Sequence, residues 1–209
     1  MKEKIKQYKY FILVILILVG ILSGYFIYSD AQAKKINKNF VFDTVRTLRE
    51  VYESRDLDRQ GIKFSRAYLM KQHLENAEDL MKKWSNDKDV LRKKVTKDML
   101  TGIADLKIAS EAYIDSVYNS NEKNLEKNLA LFKVKLEAGR DKLLSIGVIL
   151  TLPKEGINLS SSQKQEIIDY IDVIFEKELK TFEEKGQDKD FSTPQEVWTV
   201  VMLRNGLSN

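Results

Sequence analysis

Few residues in this chain are equipped for chemistry. It has a single histidine, His73, and no cysteine. That excludes thiolate metal sites, a cysteine nucleophile, disulfides and a lipid-modified cysteine. Zinc or triad chemistry built on histidine lacks its other members. On a helix, a ligand or general base needs a partner three or four positions along, and His73 has Asn76 and Ala77 there. It reads as a solvated or half-buried histidine. Asp56, Asp58, Gln60 and Gly61 begin like a calcium loop, but Ala67 stands where the bidentate acid belongs. That stretch reads as a polar linker.

Acids are plentiful, yet Glu122, Glu126, Asp169, Asp172, Glu176 and Glu183 fall on outward helical faces, where charge keeps a helix soluble. No phosphate-cradling GxxxxGK[ST] or GxGxxG and no GxSxG occurs. The expectation is a non-enzymatic protein with no catalytic residue, no metal and no cofactor.

Charge narrows the partners further. The formal net charge is +4 and the pI about 9.0, but Lys2, Lys4, Lys6 and Lys9 oppose only Glu3 before residue 30. Beyond that point 31 of the 35 basic residues face 30 of the 31 acidic ones. A nucleic-acid binder needs a concentrated basic face to displace counterions. None stands out, so a nucleic-acid partner is not expected.

The positioning element is Phe11 to Tyr28, FILVILILVGILSGYFIY, which holds no charge over 18 residues. As a helix it spans about 27 Å, close to a hydrocarbon core. Tyr8, Tyr10, Tyr25 and Tyr28 lie at its two ends, where amphipathic rings favour the interfaces. The preceding lysines favour a cytoplasmic N-terminus, although Lys34, Lys35 and Lys38 weaken the asymmetry. Ala31-Gln32-Ala33 supplies the alternative, a small-x-small site at which cleavage would release a secreted or periplasmic domain. The apolar stretch is longer than a signal peptide needs, which favours an anchor. Both readings put the following domain outside the cytoplasm. Gly20 and Gly24 form a GxxxG that would allow two membrane helices to approach and the chain to dimerise.

The segments are thus a basic N-terminus over 1–10, an anchor over 11–29 and a helical domain over 30–209. Nine glycines and two prolines leave long unbroken runs, which favour an all-α fold. Ile36, Phe40, Val41, Val45, Leu48, Val51 and Tyr52 continue the anchor as a stalk to about residue 57. A second helix is expected over 63–85 and a third over 88–118, capped at Asn86-Asp87. The third carries the seam Leu91, Val95, Met99, Ile103, Leu106, Ser110, Tyr113 and Val117. Asn119 with Glu122 reads as a capping box for a fourth helix ending near Gly147. Helices three and four should then form an antiparallel hairpin, closed into an up-and-down bundle by the stalk and helix two.

Residues 147–159 read as a buried crossover loop. Ser160 with Gln163 caps a fifth helix, 161–185, and Thr193-Pro194-Gln195-Glu196 starts a short last one that ends near Gly206. That last helix is apolar nearly all round and must be buried. Docking on its own bundle is the first expectation, with Trp198, Val201 and Met202 as candidates for partner docking.

One anchor followed by a bundle resembles the layout of bacterial chemoreceptor sensor domains. No second apolar span follows, however, and no family is assigned. The favoured function is a membrane-anchored bundle acting by protein interaction or scaffolding. The alternative is a sensor-like bundle holding a small molecule between helices, and a carboxylate-based hydrolase ranks last.

Overall fold

A computed structural model describes residues 2–56, 64–118, 122–151, 157–184 and 194–208. Among them are seven helices and no strand. They are α1 (Lys2–Asp56), α2 (Phe64–Lys82), α3 (Val90–Tyr118), α4 (Glu122–Thr151), α5 (Ser161–Ile174), α6 (Glu176–Glu184) and α7 (Gln195–Ser208). The fold is all-α, as the scarcity of glycine and proline predicts.

No glycine or proline falls between Gly24 and the end of α1, and the helix runs unbroken from its apolar part into the bundle. Its distal half buries Phe40, Val41, Val45, Leu48 and Val51 on one stripe. The stalk is therefore itself a wall of the bundle. Thr44 and Thr47 are fully buried on the same helix. Each hydroxyl donates to the carbonyl four residues back, Phe40 and Asp43, so neither is stranded.

α2 returns antiparallel to α1, as the pairs Lys83–Asp43 and His73–Glu50 show. α3 and α4 form the expected antiparallel hairpin, with Tyr113 against Phe132 and Gly102 against Gly139. α5 rises alongside α1, where Phe42 meets Tyr170 edge-on and Tyr52 meets Phe175. Around the core the order is α1, α2, α3, α4, α7, α5 and back to α1. The last helix fills the gap between α4 and α5 rather than sitting on the outside. Val95, Met99, Ile103, Leu143, Ile146, Ile167, Ile171, Val200 and Leu203 meet in the middle, each at most 1% exposed. Burial of each such side chain stabilises by about 1.5–3 kcal/mol.

Five boundaries differ from expectation. α2 stops at Lys82 rather than near residue 85. The predicted crossover loop begins too early: α4 continues through Gly147 to Thr151, and Leu150 is buried. α3 starts at Val90, and its cap is Asp89, whose carboxylate accepts from the Arg92 amide; Asp87 instead accepts from the Asp89 amide and from Arg92. The fifth helix divides at Phe175, whose φ of −118° leaves helical geometry while its amide still reaches the Ile171 carbonyl. The last helix begins at Gln195, the Val197 and Trp198 amides donating to the Pro194 carbonyl, and ends at Ser208. The capping box at Ser160 and Gln163 forms as predicted. Thr193, the Asn119 cap and most of the Asp56–Gly61 stretch lie outside the described residues.

Candidate functional site

Every large apolar side chain from Ile15 to Tyr28 is 43–72% exposed. A water-soluble surface does not leave so long an apolar stripe uncovered. This part of α1 is long and apolar enough to span a membrane. A Cβ placed on Gly20 or Gly24 would meet nothing within 4 Å, so that face is open along the whole glycine pair. Ala31, Gln32 and Ala33 continue the helix without a break.

Where α1 enters the bundle, a groove of about 550 Å³ opens between it, the α2–α3 turn and α5. Phe42 and Trp84 form its apolar walls, and its charged groups are engaged within the chain. Lys38 reaches Glu166 at 2.6 Å; Lys83 and the Trp84 indole both donate to Asp43, at 2.8 and 2.9 Å. Arg46 donates to the Tyr170 hydroxyl at 3.1 Å, and that contact holds its pKa above the ordinary arginine value. Below the groove, Arg92 grips Asp87 through two bonds of 2.9 Å and also donates to the Asn37 side-chain oxygen. The Arg92 hydrogen bonds hold the Asp87 carboxyl below the usual carboxylate range. Asn37 in turn donates to the Asn158 carbonyl at 2.8 Å. One polar knot thus joins α1, the start of α3 and the segment before α5.

His73 is not the isolated side chain its own helix suggests. Its Nδ1 lies 2.7 Å from a Glu50 carboxylate oxygen on α1, both groups about 30% exposed, and Asn76 reaches the same oxygen at 3.4 Å. Spacing along α2 does not show this partner, because it comes from the neighbouring helix. A histidine–carboxylate pair can orient an imidazole for proton transfer. No serine or threonine among the described residues is hydrogen-bonded to His73. Among the described residues no cluster of three or more His, Asp or Glu side chains could hold a metal. A cavity of about 40 Å³ between α1, α2, α3, α4 and α7 has Ser54, Ser110, Arg140 and Glu196 on a mostly apolar wall. That volume suits one or two waters.

Of the acids assigned to outward faces, Glu126, Asp169, Glu176 and Glu183 are exposed. Asp172 is different: it binds Arg204 through two bonds, of 2.5 and 3.2 Å, tying α5 to α7. The last helix docks on its own bundle, with Val197, Val200, Leu203 and Leu207 buried. Trp198, Val201 and Met202 are half-buried on its outer side, and the Trp198 ring meets Phe182 edge-on at 4.8 Å.

Basic residues concentrate locally around the start of α3, although Lys82, Lys83 and Arg92 pair with Glu78, Asp43 and Asp87. Seven of the 16 residues from Lys82 to Lys97 are basic and two are acidic. A windowed charge count would have found this concentration; the balance over 30–209 averages it away. Lys88, Lys93 and Lys94 project from this turn into solvent and make no ion pair among the described residues. Compared with known proteins, the chain matches no family model, no curated protein and no solved structure. Its fold class and its surfaces therefore carry the functional reading alone.

Proposed function

We propose that this protein is a single-pass, membrane-anchored helical bundle whose domain lies outside the cytoplasm and acts by binding another protein, without catalysis. The carrying observation is the exposed apolar stripe of α1 continuing without a break into the bundle wall. Such a helix fixes the domain at a set height and orientation above the lipid, which suits a scaffold. The basic N-terminus supports the cytoplasmic side for residues 1–10. The unbroken helix through Ala33 and the length of the apolar stretch favour a retained anchor over cleavage.

The absence of native cysteine makes the topology directly testable. Lys180→Cys, on the exposed side of α6, should react with a membrane-impermeant maleimide in intact cells. Gln7→Cys should react only after lysis. Labelling at position 180 only after lysis overturns the orientation. A mature chain beginning at Lys34 overturns the anchor.

One observation favours a second reading, a small-molecule-binding bundle. The groove beside Phe42 and Trp84 has a volume in the range of ligand sites. Its ion pairs would have to open to admit a charged ligand. Indole fluorescence from Trp84 that stays unchanged across a panel of candidate metabolites counts against it.

A further inference from the structure

We infer that the end of the bundle nearest the apolar helix is a docking surface for anionic phospholipid headgroups, in the same bilayer that the helix spans. This rests on the anchor reading above. The height of the surface follows from α1. Tyr28 closes the apolar stretch, and Ile36 lies eight residues on, about 12 Å further along the axis. A headgroup layer adds roughly 5–7 Å beyond the hydrocarbon. Arg92 and Asn158 both bond to Asn37, which places the start of α3 and the segment before α5 at that level.

The residues there have the composition of a membrane-facing rim. Val90, the first residue of α3, is 83% exposed, and Ile36 is 41% exposed. Around them Lys35, Lys88, Lys93 and Lys94 are exposed, and none forms an ion pair among the described residues. Of the nearby acids, Asp30, Asp87 and Glu166 pair with Lys34, Arg92 and Lys38, and exposed Asp89 caps α3, so the lysines remain in excess. Free lysines with an isolated apolar side chain, within about one Debye length of the headgroups, complement a negatively charged lipid surface. The far end carries both signs with acids in excess: exposed Glu111, Asp115, Glu126, Glu176, Glu183 and Glu184 stand against exposed Lys127, Lys133, Lys177 and Lys180. The asymmetry points the positive end at the membrane.

The test uses the full chain reconstituted in lipid nanodiscs, one set of phosphatidylcholine alone and one containing phosphatidylglycerol. Lysine acetylation by a soluble reagent is followed residue by residue by mass spectrometry. Lys88, Lys93 and Lys94 should react about five-fold more slowly on the anionic discs, with Lys180 unchanged. Raising salt to about 1 M, where the Debye length is about 3 Å, should remove the protection. Val90→Ser should weaken it while leaving the helical content unchanged. Equal rates on both discs overturn the proposal. Equal protection on both discs also overturns it, because shielding would then be steric. Protein that fails to remain with the discs instead refutes the anchor, so the two failures are distinguishable.

Discussion

Gly147→Ala is the sharpest probe of how α7 is seated. A Cβ at this position would lie 2.7 Å from the Thr199 carbonyl oxygen and 3.2 Å from its Cγ2. Ordinary contact needs well over 3 Å, and the closest atom is backbone in the middle of α7, so no rotamer change relieves it. The Thr199 hydroxyl also donates to the Leu143 carbonyl at 3.2 Å, pinning the two helices at this separation. Overpacking of this kind costs about 1–3 kcal/mol, and a backbone clash belongs at the upper end. Against it stands a gain of about 1 kcal/mol, because alanine is the better helix former. The balance is a loss of about 2 kcal/mol, or roughly 4–8 °C in Tm for a chain of this size. Thermal and urea melts of the detergent-solubilised protein, followed by far-ultraviolet circular dichroism, would measure it. Thr199→Ser should not rescue the loss, because the carbonyl is the nearer atom. Gly20→Ala, where a Cβ meets nothing within 4 Å, should leave bundle stability unchanged. A Gly147→Ala protein as stable as the parent or more so would refute the close approach of α7 to α4.

Three further outcomes follow from the polar contacts and the last helix. Asp87 has a folded pKa below its unfolded value, so its contribution is complete above pH 4–5 and is lost as the pH falls through the folded pKa. Asp87→Asn should therefore lower the urea midpoint at pH 7, by about 2 kcal/mol in stability, and reduce the acid sensitivity of the parent below pH 4; a midpoint unchanged at neutral pH counts against the Arg92 grip. A double-mutant cycle of His73→Ala and Glu50→Gln should give a coupling of about 0.5–1 kcal/mol, and strict additivity would mean that the cross-helix pair does not form in solution. Trp198→Ala should cost about 2 kcal/mol through its contact with the Phe182 ring, a loss visible as a lower Tm.

How far the primary structure reaches depends on the range of the physics involved. The apolar stretch from Phe11 to Tyr28, the seam Val95–Met99–Ile103–Leu106 and the Ser160–Gln163 capping box rest on neighbours within a turn or two. All three are written locally and all are legible. Gly147 is not legible in this way, because a glycine that ends a helix and one that admits another helix look the same along the chain. The lysines around the start of α3 are a different case: their charge is local, and whole-domain balance conceals it. His73 needed the third dimension, since its partner Glu50 sits 23 residues earlier on a helix running the other way.

What the sequence determined by itself, then, is the set of helices, their apolar faces and the apolar stretch long enough to cross a bilayer, because each follows from composition and period. The tertiary structure decided which helices are neighbours. It set α7 between α4 and α5, paired Asp172 with Arg204, and gathered Lys35, Lys88, Lys93 and Lys94 at one end. Those arrangements join residues far apart in the chain. They depend on how side chains of particular volumes share one core, which no local pattern encodes.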